Sequence, residues 1–215
     1  AEVHRLGHRP ELARADLEAA LAIDPTSTAA RRILVRLSVE AGDVEGAIAG
    51  CGDVLAIDPA DAYARSTRGA MLLARGELDS AAADLEAATD LVAGPEPLVG
   101  LARIERARGR FAVAEARADA ALARDPDSAA ARLERGVARA ATGEAGPAFF
   151  DLALAGRSAR EGAEGAWRDS LDAIEAGDLV RARRTMERSA ELGRLADEAA
   201  RAALQLSAVA LPWGR

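Results

Sequence analysis

His4 and His8 stand four residues apart, a spacing that can set two imidazoles on one helix face. Gly7 lies between them, Pro10 follows, and no third ligand is near, so two surface histidines are the plainer reading and no metal site is expected. Cys51 is the single cysteine, which excludes an internal disulfide framework. It falls at an apolar helix position without a histidine or helix N-terminus to activate it, and is read as a small core hydrophobe. Gly143-Glu144-Ala145-Gly146-Pro147 is no phosphate loop, because no strand precedes it and no lysine follows. Carboxylates such as Glu187 and Glu191 have arginines at neighbouring turns, the pattern of solvated helix faces. No catalytic constellation and no cofactor are therefore expected. Arginine carries the chemistry that remains. All 28 basic residues are arginine, and a guanidinium binds carboxylates bidentately and stacks on aromatic rings.

The 215 residues are half apolar but only 3% aromatic, so alanine and leucine must build the core. Alanine favours helices and lets them approach closely. Arginine and alanine have GC-rich codons, which points to a GC-rich bacterial genome. With a net charge of −7, nonspecific nucleic-acid binding is not expected. No apolar run reaches the ~18 residues that a membrane-spanning helix needs. The chain begins Ala-Glu-Val-His-Arg, with neither an initiator Met nor an apolar signal segment, so residue 1 is read as a cut or processed boundary. The cytoplasm is the expected compartment unless an upstream targeting segment has been removed.

These side chains are positioned by a repeat. Gly42, Gly76, Gly109, Gly143 and Gly177 are spaced by 34, 33, 34 and 34 residues. Five residues after each stands an alanine: Ala47, Ala81, Ala114, Ala148 and Ala182. Nine after each comes an apolar or small residue (Cys51, Leu85, Ala118, Leu152, Met186), and twelve after each a small one (Val54, Ala88, Ala121, Ala155, Ser189). Pro59 and Pro126 follow at plus seventeen, and Pro25 fits the same place one period earlier.

The pattern predicts helical hairpins. Each glycine ends a first helix by adopting a left-handed backbone. The alanine sits where the two helices are closest, opposite a residue seven before the glycine: Val35, Gly69, Ala102 or Gly136. Proline stops the second helix, and Asp or Ser caps the next, as in Asp58-Pro59-Ala60-Asp61 and Asp125-Pro126-Asp127-Ser128. Second helices are predicted over 11–23, 44–57, 78–92, 111–124, 145–157 and 179–192. First helices are predicted over 28–41, 62–75, 96–108, 129–142 and 163–176. The stretch 156–162 lacks a proline, so a kink or longer loop is expected there. A last helix over 195–210 bears one apolar stripe, Leu195, Ala199, Ala202, Leu206 and Val209, suited to capping the array. Trp213 is expected to pack on that helix or on a neighbouring molecule.

This frame of glycine, alanine at plus five and proline at plus seventeen resembles the tetratricopeptide repeat over about residues 6–196. The 35-residue pentatricopeptide and the ~40–47-residue HEAT and armadillo units do not fit the spacing. The resemblance implies an all-α fold, a right-handed superhelical α-solenoid of antiparallel helix hairpins. It would hold about five full repeats, an N-terminal half repeat and a C-terminal capping helix. The boundaries are 1–27 for a partial first repeat, then 28–61, 62–94, 95–128 and 129–162. Residues 163–194 form a degenerate repeat, and 195–215 the capping helix and tail. Arg65, Arg68, Arg132 and Arg135 occupy places that are usually apolar in the family, which implies more polar packing.

In this family the first helices line a concave groove that binds protein segments. The corresponding positions make Arg32, Arg36, Tyr63, Ser66, Arg103, Arg106 and Trp167 the candidate partner-binding residues. The arginines suggest an acidic or C-terminal peptide as ligand. The groove of the 129–162 repeat, with Leu133 and Val137, is small and apolar, to accept an apolar side chain or to be filled by the chain itself. The chaperone-binding clamp of the family is not expected, because Arg32, Arg36, Thr67, Glu96 and Gly100 lack its asparagines. An interaction scaffold or adaptor with no enzymatic activity is the leading expectation. The alternatives are a sensor or regulatory segment of a larger bacterial signalling ATPase, transcription regulator or protease, and self-association through Trp213 and the last helix.

Overall fold

The computed structural model describes residues 10–175 and 178–210, all helical apart from short turns. In chain order the helices are α1 (Pro10–Ile23), α2 (Thr28–Glu40), α3 (Val44–Ile57), α4 (Ala62–Arg75), α5 (Leu78–Thr89), α6 (Glu96–Ala107), α7 (Phe111–Arg124), α8 (Ala129–Thr142), α9 (Ala145–Glu175) and α10 (Leu179–Ala210). Two compact units divide them, Ala1–Ala93 with α1–α5 and Gly94–Arg215 with α6–α10. Within each unit consecutive helices pack as antiparallel pairs. His4, Gly7, His8 and Trp213 lie outside the described residues.

The punctuation acts as the sequence predicts. Gly42, Gly76, Gly109 and Gly143 have φ of 73°, 85°, 74° and 91°, the left-handed region that other residues avoid. At Gly76 the cap N–H groups turn back to Leu72 and Leu73 carbonyls, closing the last turn of α4. Asp43, Asp61 and Ser128 each accept a hydrogen bond from the backbone N–H three residues on, at 2.9, 2.9 and 3.3 Å, and so start α3, α4 and α8.

The alanines five residues past the glycines are buried in every described hairpin. Opposite them the space is measured by two glycines. A Cβ added to Gly69 would stand 2.7 Å from Leu85 Cγ and 3.3 Å from the Ala81 carbonyl oxygen. At Gly136 the same atom would stand 2.8 Å from Leu152 Cγ and 3.2 Å from the Ala148 oxygen. No methyl fits between these backbones without displacing a leucine.

The last third departs from expectation. No kink or loop interrupts 156–162; α9 runs unbroken for 31 residues. Nor does a break separate a hairpin helix ending at 192 from a cap starting at 195; α10 runs for 32 residues. The cause is a change of period. Leu152, Gly156, Ala159, Ala163, Ala166, Ser170 and Ala173 alternate spacings of 4 and 3 along α9. Ala182, Thr185, Ser189, Leu192, Ala196, Ala199, Ala203 and Leu206 alternate 3 and 4 along α10. These are seven-residue stripes, which wind two helices around each other. Gly156 and Gly162 therefore serve close approach rather than helix ending: their added Cβ atoms would stand 3.6 Å from Ala199 Cβ and 3.0 Å from Leu192 Cδ1. Without a proline or a left-handed glycine, nothing stops either helix.

The end of α10 also settles what fills the groove of α8. Leu133, Leu152, Ala155 and Ala199 form one buried cluster, with Val137, Leu195, Ala202 and Leu206 packed against it. The small apolar face of α8 is thus occupied by the chain's own last helix.

A Gly136→Ala variant should lose ~1–3 kcal/mol through overpacking, and Ala81→Leu or Ala114→Leu a similar amount. Trimming the opposing side chain in Gly136→Ala/Leu152→Ala should cost less than the two single changes added. Urea melts of the four proteins form the cycle, and strict additivity would contradict the close contact.

Candidate functional site

The candidate binding residues lie on α2, α4, α6 and α9, each with its own surroundings. In the first unit Arg32 on α2 donates from Nε to Asp61 Oδ2 at 2.6 Å. Asp61 is buried and uses its other oxygen to cap α4 through the Ala64 N–H. Arg32 therefore ties α2 to the start of α4. Tyr63 packs half-buried against the cluster of Val35, Cys51, Val54, Leu55 and Ala64. The Ser66 hydroxyl is buried and finds no hydrogen-bond partner among the described residues. Arg36 is half-buried and engaged in an interaction of its own. Val39 and Leu73 complete this face, with Val39 exposed and Leu73 half-buried.

In the second unit Arg103 and Arg106, one helical turn apart on α6, meet on one carboxylate of α8. Their Nε atoms donate to Glu134 Oε1 and Oε2 at 2.8 and 2.9 Å. Glu134 is only 1% exposed, so it is a buried charge matched by two half-exposed cations. Trp167 and Leu171 lie on α9, 51% and 44% exposed.

The sequence reading placed carboxylates on solvated faces, and this needs correction. Asp84, Glu105, Glu134 and Asp151 are buried, each held by arginine. Arg68 clamps Asp84 with Nε and one terminal nitrogen at 2.6 and 2.7 Å. Arg135 clamps Asp151 the same way, at 2.9 and 2.6 Å, and Arg139 adds a third bond at 2.8 Å. Each clamp joins the position eight before a hinge glycine to the position eight after it, across one hairpin. The arginines eleven before the glycines also have a shared task. Arg31, Arg65 and Arg132 donate to the carbonyls of Pro25, Pro59 and Pro126 at 3.0, 2.9 and 2.5 Å. The polar packing expected of Arg65, Arg68, Arg132 and Arg135 is thus a set of specific latches. The recurrence of Arg at minus eight with Asp at plus eight was the available signal.

Charge pairing and burial shift the ionisation of several groups. The Arg110 guanidinium, with help from Arg108, holds the Glu105 carboxyl below its usual 4.5. Burial pushes the Cys51 thiol up to about 12, so it stays a protonated core group.

Residues 7–71 match the tetratricopeptide repeat family. No curated protein matches the chain in sequence. Among solved structures the chain is similar to pilF of Pseudomonas aeruginosa, with 20% identity, 96% of this chain and 92% of that one covered, and a TM-score of 0.67. It is similar to PilW, a type IV pilus biogenesis factor, at 19% identity over 86% of each chain, with a TM-score of 0.66. YrrB, a repeat protein with an unusual peptide-binding site, gives 15% identity, 86% and 96% coverage, and 0.57. At these identities the likeness is one of fold.

Two measurements follow. Asp151→Ala should destabilise the protein by ~2 kcal/mol, less than the 3–5 of a fully buried pair because Arg135 and Arg139 reach water. The Glu105 pairing contributes stability that is complete above the unfolded carboxyl pKa and lost as pH falls through the lower folded value. The gap in urea midpoint between wild type and Glu105→Gln, open at neutral pH, should close in acid. A gap that stays constant would show that Arg110 does not hold the charge.

Proposed function

We propose that the chain, whose residues 7–71 match the tetratricopeptide repeat family and whose fold is that of such repeat proteins, works as a protein–protein interaction scaffold with the first-helix faces as its binding surface. The observation that carries this reading is the face of α2 and α4. Val39 there is exposed, and Arg36, Tyr63 and Leu73 are half-buried, so apolar, aromatic and cationic side chains of these two helices reach solvent. Aromatic and arginine side chains are the usual anchors of protein interfaces. YrrB is a precedent for this fold holding a peptide.

The partner segment in this reading carries an apolar side chain for the Tyr63 face and a carboxylate for arginine. That arginine is Arg36, which belongs to the same unit as Tyr63. The reading is non-catalytic. The Cys51 thiol is buried, and the carboxylates best placed for proton transfer are bonded to guanidinium groups.

A photo-crosslinking amino acid at Tyr63, against a control at the exposed Ala83 of α5, tests the binding face. Adducts from position 63 alone are expected. Equal labelling from position 83 would place recognition elsewhere. For the partner so captured, Arg36→Glu should weaken binding about tenfold, the loss of one charge-assisted contact. Unchanged affinity would remove the acidic segment from the proposal.

A further inference from the structure

Helix α9 carries a second seven-residue stripe on its exposed side, running from Phe150 to Leu171 at alternating spacings of 3 and 4. One end is apolar, with Phe150 64% exposed beside the small Ala153. The other end is apolar as well, with Trp167 and Leu171 about half exposed. The middle is charged and changes sign once: Arg157 and Arg160 come first, then Glu161 and Glu164, all exposed. These four charges line a cleft of about 540 Å³ over a floor of Ala153, Gly156, Ala200 and Ala203. A second cleft of about 360 Å³ continues past Glu164 to Trp167, Arg168 and Ser189. Small residues on both α9 and α10 let another helix settle into this groove.

We propose that this face joins two copies of the chain, their α9 helices antiparallel across a twofold axis that passes between Arg160 and Glu161. A twofold interface must match itself, because each residue meets the image of another. Reversing α9 about that midpoint sends Phe150 onto Leu171, Arg157 onto Glu164 and Arg160 onto Glu161. Trp167 lands within one residue of Ala153, a large ring over the smallest side chain of the stripe. Arg168 lands on Ala153 itself, where its stem covers the small residue and its guanidinium stays in water. Apolar ends thus meet apolar ends, and every arginine of the middle meets a glutamate.

The alternatives fit less well. A parallel pairing sets Arg157 and Arg160 against their own copies, so the change of sign along the stripe selects the antiparallel one. Within one helix Arg157 also stands four residues before Glu161, and Arg160 four before Glu164. Base before acid is the weaker order for such a pair, and exposed pairs are worth little. Between two copies each kind of cross-pair occurs twice, flanked by apolar contacts that exclude water. The inference does not depend on the reading of α2 and α4.

Light scattering over a dilution series should show a dimer that dissociates to monomer. Arg157→Glu/Arg160→Glu makes the middle of the stripe wholly acidic, and Glu161→Arg/Glu164→Arg makes it wholly basic. Each double variant alone should self-associate about a hundredfold more weakly. Mixed one to one, the two should form a heterodimer, because every cross-pair is again opposite in charge. Helicity by circular dichroism should not change, since all four side chains are exposed. A parent that stays monomeric overturns the proposal, as does a dimer that either double variant leaves intact, or a mixture that fails to associate. In a Trp213→Phe background Trp167 is the sole indole. Its shielding from acrylamide should fade on dilution; shielding equal at every concentration would place a segment of the same chain on this face instead.

Discussion

The contact on which this structure depends is between backbones. Where the two helices of a hairpin cross, one side supplies an alanine and the other a valine, an alanine or a glycine, and at Gly69 and Gly136 a single methyl would collide with leucine. Such proximity needs small residues at fixed intervals, and the interval fixes everything downstream. The left-handed glycine must come seven residues after the one contact and five before the other. The leucine at plus nine must lie over the glycine. A chain with 3% aromatic residues can build a core this way because close approach replaces side-chain bulk.

Arginine does the work that aromatic residues often do between hairpin elements. A planar guanidinium can lie over a helix and still place two N–H groups on one carboxylate, which lysine cannot. The clamps of Arg68 on Asp84 and Arg135 on Asp151 span each hairpin at its middle, and the latches of Arg31, Arg65 and Arg132 fasten the proline turns. The clamps are about a quarter exposed on the arginine side (29% and 23%) and buried on the carboxylate side, so removal of the acid is the milder loss. They set geometry more than they add stability.

Legibility in the sequence followed the locality of the rule. Glycine, proline and cap residues act within a few positions, and α3, α4, α7 and α8 begin and end where the pattern put them. The continuity of α9 and α10 was hidden because the repeat frame called for a break at 156–162 and another between 192 and 195. What decides it is a partner helix thirty or more residues away, visible only as a seven-residue stripe on both helices. The surroundings of the candidate residues were only partly legible. Register puts Arg32 on α2 and Arg103 and Arg106 on α6, but charge alone could not reveal that Asp61 and Glu134 hold them. Pairings across 29 and 31 residues are tertiary facts, and in a chain with 35 acidic residues no single partner stands out.

Occupied arginines change what selectivity means here. A carboxylate arriving at Arg103 and Arg106 must exchange with Glu134 rather than add to it, and Glu134 has almost no solvent to retreat into. Affinity for an anion at that point is then a difference between two similar bonds, small in size and quick to reverse. In the proposed scaffold, discrimination among ligands falls to shape and apolar fit, while charge decides only which orientation is tolerated.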